Sequence, residues 1–344
     1  MRHRVLFVVA CLFLTGAWVA SKTLDVGALR PQETDPTLVG GKMVDAANAF
    51  IKSLDAGLKR KVQFSYEDEE RFNWHFIPRG RLGVSLSELA PKHVAKLQAL
   101  IQLALSEKGY EKVEQVRFLE SVLQESEGKK RNFPRSTELY NISFYGKPSK
   151  KGAWTWRFEG HHLSLNFTVV DSVLQSNTPL FYGANPAEVL SGPKKGLRVL
   201  APMEDLALEF VNSLDEEQAK VCRGKAKPEE VKSMTKARYT DALPKGVSVS
   251  ALNDEQKGIL VRLFAAYTSN LEADSRERLH GAVRDGGVDD VQVHWLGGTK
   301  RGEAHSYIIH GPAFVISFSN VQNGAKHIHA SIRMRDGEFN LKKK

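Results

Sequence analysis

ISFYGKPSKKGAWTWRFEGHHLSLNFT at 142–168 and VHWLGGTKRGEAHSYIIHGPAFVISFS at 293–319 align without a gap, which sets Gly146 against Gly297, Gly160 against Gly311 and Phe167 against Phe318. In 154–159, Trp154, Trp156 and Phe158 alternate with Thr155, Arg157 and Glu159, and after Gly160 the segment 162–170 alternates again. A period of two is the signature of strands with one apolar face. The segments 291–296, 304–310 and 312–319 are the equivalents in the second copy. Hairpin-length connections at Gly146-Lys147-Pro148 and Gly297-Gly298 predict antiparallel neighbours.

Two further blocks recur upstream in the same order. AFIKSLD at 49–55 returns as EFVNSLD at 209–215, and GVSLSEL at 83–89 returns as GVSVSAL at 246–252. Self-similarity over so long a period predicts a duplicated structural unit rather than a solenoid. Met43, Ala47, Phe50, Ile51, Leu54 and Leu58 follow helical spacing, so 42–60 reads as an amphipathic helix, with 203–221 as its partner. A second pair covers 91–107, carrying Leu97 and Leu100, and 254–271, carrying Leu260 and Leu263. The latter opens on a capping pattern at Asn253 and Gln256. Another helix is expected over 111–125. Helices followed by a strand group, twice, predict an α+β fold: helices packed on a mixed or antiparallel sheet, the two halves related by a pseudo-two-fold axis.

The expected organisation is a signal peptide at 1–21, a linker at 22–41, a first repeat at 42–177, a crossover loop at 178–202 and a second repeat at 203–341. Arg2 and Arg4 precede an uncharged apolar run from Val5 to about Ala20, the anatomy of a secretory signal. An exported protein, periplasmic or extracellular, with no membrane span once the signal is removed, is the expectation. Export would also leave Cys222 as the lone cysteine, excluding an internal disulfide and a thiolate zinc cluster. The net charge of +9 is spread along the chain and interleaved with acids. No nucleic acid is therefore expected as a partner, since a binder of that kind needs a clustered basic face or a known module.

Chemistry concentrates in the histidines. In an extended strand His327, His329, Ser331 and Arg333 share one face while Ile328, Ala330, Ile332 and Met334 share the other. A His-x-His pair on a polar strand face offers two imidazoles to one metal, with further ligands to come from elsewhere. The same parity puts His162 with Ser164, Asn166 and Thr168 on the polar face, although a kink at Gly160 would bring His161 into play instead. His161 and His162 align with Pro312 and Ala313, so each half holds a different part of the histidine set. A single site between the halves could combine them, with His305 as a further candidate ligand and Glu159 as a ligand or general base. The cofactor such a set would take is a divalent transition metal: zinc, copper or iron. The opposing reading is that these are strand histidines on exposed faces, without a role.

The stretches WRFEGHHLSLNFT, PLFYGANPAEV, GPKKGLRVL and GPAFVISFSNVQNGAKHIHASIR resemble the domain of unknown function 3500 family, from about Phe50 to Phe339. The resemblance implies an often exported bacterial protein with no established activity, and it transfers no catalytic residues. That family's pattern has a Trp-Arg-Asp triplet after the His-x-His, where this chain has Ile332-Arg333-Met334-Arg335-Asp336.

Two functions compete at this level. One is a metal-dependent hydrolase or oxidase acting on a small-molecule or polymer substrate. The other is a non-catalytic envelope protein that binds a ligand or partner through Trp154, Trp156 and the 178–200 loop. Histidines gathered in one place favour the first; histidines scattered on exposed faces favour the second.

Overall fold

Alternation along the strands sorts the side chains of this α+β protein into two faces. The computed structural model describes residues 36–128, 133–231 and 236–341. Among the described residues the helices are α1 (Pro36–Ser53), α2 (Ala56–Val62), α3 (Pro91–Ala104), α4 (Glu107–Glu127), α5 (Ala201–Ser213), α6 (Glu216–Cys222), α7 (Asp254–Thr268) and α8 (Ala273–Asp285). The strands are β1 (Gln63–Phe64), β2 (Val84–Ser85), β3 (Tyr140–Tyr145), β4 (Ala153–Gly160), β5 (Leu163–Val170), β6 (Val173–Ser176), β7 (Leu180–Ala184), β8 (Val247–Ser248), β9 (Gln292–Gly297), β10 (His305–His310), β11 (Phe314–Gln322) and β12 (His327–Met334). They form one mixed sheet in the order β1-β3-β4-β5-β7-β12-β11-β10-β9-β8, with β2 beside β3 and β6 beside β5. The signal peptide and most of the linker lie outside the described residues. No helix among them is long and apolar enough to cross a membrane.

Trp154, Trp156 and Phe158 of β4, Leu165 and Phe167 of β5 and Ile328, Ala330 and Ile332 of β12 share one continuous core with Phe50 of α1, Leu97 of α3 and Leu263 of α7. Both tryptophans are fully buried there, so neither offers a surface to a ligand or partner. The other face of the sheet is polar yet also buried: Thr155, Arg157, Glu159, Asn166, Ser317 and Ser331 are nearly inaccessible. Two loop segments cover it. Residues 65–82 contribute Trp74 and Phe76, which pack on Phe181 of β7. Residues 224–231 and 236–244 form the other, contributing backbone carbonyls of Lys236 and Ala237, which accept from Arg333 of β12.

The two repeated SLD blocks each break what reads as a single helix. Asp55 caps α2 by accepting from the backbone of Gly57 and Leu58, and Asp215 caps α6 by accepting from Gln218. An aspartate that satisfies the free N–H groups of a helix start favours a break at that point. The crossover stretch also holds more than a loop. Leu180–Ala184 form β7, the central strand that joins β5 to β12.

Gly160 ends β4 directly opposite Tyr140, and a Cβ there would stand 2.3 Å from the Tyr140 ring. Instead of kinking the strand, the glycine admits that ring, whose hydroxyl donates to the carbonyl of His161 at 3.0 Å. Gly160→Ala is expected to cost about 1–3 kcal/mol, the range for overpacking a filled core. Urea unfolding measures this, and an unchanged midpoint would show that the close approach imposes nothing.

Candidate metal centre

β4 and β5 pair up to Gly160 and Leu163, leaving His161-His162 as a two-residue turn. His162 sits at φ 62°, a region L-residues rarely occupy but histidine tolerates better than most. Neighbouring chain holds it there. The His162 N–H donates to the carbonyl of Phe76 at 2.8 Å, and its own carbonyl accepts from the N–H of Gly183 at 2.8 Å. Gly183 also makes room for the imidazole, since a Cβ there would lie 2.8 Å from His162 Cδ2. The expected strand placement of His162 is thus corrected to a turn, yet the ring still reaches the polar face.

β12 presents His327 and His329 on that face, as parity requires. His327 Nε2 lies 2.8 Å from His162 Nε2, and His329 Nε2 lies 3.3 Å from the same atom. Two nitrogens bound tetrahedrally to one zinc at about 2.0–2.1 Å stand about 3.3 Å apart, so only small movements separate this arrangement from a coordination shell. Among the described residues these three histidines are the group of potential ligands close enough to share an ion.

Hydrogen bonding prepares the rings unequally. His329 Nδ1 meets Glu230 Oε2 at 2.5 Å, and Glu230 Oε1 accepts from Ser319 at 2.8 Å. A carboxylate at Nδ1 fixes the proton there and leaves the Nε2 lone pair facing the centre, an outer-shell arrangement typical of metal-bound histidine. Burial raises the Glu230 carboxyl, but the hydrogen bonds from His329 and Ser319 together with the field of His329 and His327 more than offset it and leave the group below its usual range. His327 Nδ1 has Asn323 Nδ2 at 3.4 Å, and the His327 N–H donates to Asn320 Oδ1 at 3.1 Å. His162 Nδ1 is buried without a hydrogen-bond partner among the described residues, so among them only the histidine cluster bears on the tautomer of that ring.

Burial, and then the neighbouring imidazoles, hold His162 well below the ordinary histidine range, and burial followed by His329 brings His327 down to about 3. Both rings are therefore neutral, the form that ligates. In the unfolded chain histidine titrates near 6.5. Below that pH the unfolded state takes up protons that the folded state refuses, so this contribution to stability is complete above about 6.5 and shrinks as pH falls towards about 3. Each such histidine adds a slope of up to about 1.4 kcal/mol per pH unit. Urea midpoints should fall clearly between pH 7 and pH 4.5; identical midpoints would show that the rings are not held neutral.

The other candidate residues are not brought into the cluster. His161 stacks on His162 with ring centroids 3.7 Å apart, but its Nδ1 faces Glu120 Oε1 of α4 at 2.5 Å, with Arg135 Nη1 3.0 Å away. His305 is on the opposite face of the sheet. It pairs with Asn320, which pairs with Ile328, and its ring lies in the core 5.0 Å from Trp295. Glu159 accepts from the backbone N–H of His75 at 2.9 Å and sits 3.2 Å from Arg157 and 3.8 Å from Arg81. Those contacts make it the counter-ion of two buried guanidinium groups. Cys222 is buried, and desolvation pushes its thiol up to about 12, which removes it as a nucleophile at neutral pH.

Sequence reasoning missed Glu230, Glu120 and Phe76, the last packing on the His329 ring at 4.5 Å. All three come from segments far from the histidines in sequence, and none carries a motif. No curated protein and no solved structure matches the chain. The model of one family, described as a protein of unknown function (DUF3500), matches residues 39–340, and the chain belongs to that family.

Proposed function

We propose that His162, His327 and His329 hold one divalent transition metal through their Nε2 atoms, and that the chain is an exported metal-dependent hydrolase or oxidase. The observation that carries the reading is the meeting of three buried imidazoles at 2.8 and 3.3 Å, with Glu230 behind one of them. Three imidazole nitrogen donors suit zinc, copper or iron, and they leave a coordination position for water or substrate. A metal held this way supplies Lewis acidity and lowers the pKa of a bound water. Elemental analysis of protein purified without added metal or chelator tests the first step. Near-stoichiometric zinc, copper or iron is the expected result, and metal at background level would favour the non-catalytic binding protein instead.

Duplication explains why the ligands are divided between halves. α1 and α2, then α3 and α4, then β3, β4 and β5 follow one another in the first half; α5 and α6, α7 and α8, then β9, β10 and β11 do so in the second. Across the sheet, β3-β4-β5-β7 is met by β12-β11-β10-β9. His162 comes from the hairpin of one half and the His-x-His strand from the other, so the site requires both. Export rests on the charged start and apolar run of the leader. Intact-mass measurement on the periplasmic or secreted protein should show a new N-terminus near Lys22, and recovery of the full chain from the cytoplasm would contradict it.

A further inference from the structure

Corresponding places in the two halves are filled differently. On the polar face of the first half, Arg157 pairs across the β4–β5 ladder with Asn166, and its guanidinium reaches Glu70 and the Tyr145 hydroxyl at 2.8 and 2.6 Å. The aligned positions in the second half are Ile308 and Ser317, which pair across β10 and β11. Neither carries a side chain long enough to fill the space beside residues 224–231 and 239–244. A cavity of about 610 Å3 lies there, lined by Ile308 and Ser317 among others. That volume falls within the usual range for a small-molecule site.

The lining sets the chemistry of an occupant. Glu229, Glu230 and Asp241 bring three carboxylates to the wall, against Lys225 as the cation among the described lining residues. Both oxygens of Glu230 are engaged, by His329 and Ser319. Asp241 differs: its Oδ1 has Lys236 at 3.6 Å, while its Oδ2 is buried with no hydrogen-bond partner among the described residues. A buried carboxylate oxygen without a donor is costly unless a donor arrives with a ligand. Val231, Tyr239 and Leu296 supply apolar wall beside it.

We propose that this cavity binds a small organic amine, its ammonium group donating to Asp241 Oδ2 and its apolar body lying against Val231, Tyr239 and Leu296. The excess of carboxylates disfavours an anion, and the unpaired oxygen demands a donor. Because the cavity lies on the Nδ1 side of His329, behind Glu230, it is separate from the point where the three Nε2 atoms meet. Its occupancy does not depend on the metal reading.

Three probes that share a phenyl body and differ at the head test this: 2-phenylethylamine, 2-phenylethanol and 3-phenylpropionate, titrated calorimetrically into the mature protein as purified and after chelator treatment. The amine is expected to bind at least tenfold more tightly than the alcohol and the acid not at all, with and without metal. Asp241→Asn should bring the amine down to the level of the alcohol. Equal binding of amine and alcohol, preference for the acid, absence of any binding, or an unaffected Asp241→Asn variant would each overturn the proposal. The comparison of heads on the unaltered protein does not depend on how that variant folds. Binding that vanishes with the metal would place the ligand at the histidines and also refute it.

Discussion

Replacing His327 by Ala is expected to take the purified protein from near-stoichiometric metal to background. Its Nε2 is the closest of the facing nitrogens to His162, at 2.8 Å, and the two remaining imidazoles would offer only a two-coordinate fragment to an ion that prefers four ligands. The fold should survive. His327 stands at the start of β12 and keeps its N–H bond to Asn320 whatever its side chain. His280→Ala serves as the control, because that ring is bonded to Thr268 Oγ1 on the helical side and is no member of the cluster. Loss of metal in both variants, or in neither, would contradict the assignment.

A second large effect is expected at Glu159. Its carboxylate lies between Arg157 and Arg81, whose side chains are 1% and 5% exposed, and accepts from His75 as well. Truncation to Ala leaves buried positive charge partly uncompensated, and breaking such a pair from one side costs about 3–5 kcal/mol. The unfolding midpoint should drop accordingly while the metal content of the folded fraction stays unchanged. A stable Glu159→Ala protein with normal metal but no turnover would instead restore the acid/base role that the sequence suggested for this residue.

The contrast between Glu159 and His329 shows what was legible in the sequence. Parity along a strand is local, so the division of β4, β5 and β12 into apolar and polar faces could be read from residue types, and with it the shared direction of His327 and His329. Helix spacing and the capping pair at Asn253 and Gln256 were equally local and reappear in α7. What parity cannot give is the partner across space. Glu159 and His329 both lie on the polar face, and only the arrival of Arg81 at one and Glu230 at the other separates a structural ion pair from an imidazole oriented towards the histidine cluster.

Three further features were hidden for specific reasons. His162 escaped the strand rule because a turn residue at positive φ obeys no alternation, and the contacts that hold it come from Phe76 and Gly183. β7 escaped notice because Leu180–Ala184 is short and flanked by Pro179 and Pro186, which read as loop punctuation although both lie just outside the paired residues. His305 looked like a further ligand because it lies on the strand that precedes Gly311-Pro312. Its register against Asn320 turns it into the core, between the rings of Trp295 and Phe318 and with Glu204 Oε1 3.9 Å from its Nε2.

The most direct test of the proposed metal centre is X-ray absorption at the metal edge of the protein purified without chelator, after elemental analysis has named the ion. Three imidazole nitrogens from His162, His327 and His329 predict a first shell dominated by nitrogen at about 2.0–2.1 Å if the ion is zinc, with outer-shell scattering from the rings. That signal should disappear in the His327→Ala variant. A protein that carries no metal, or whose ion is held by sulfur or by carboxylate oxygens alone, would contradict it.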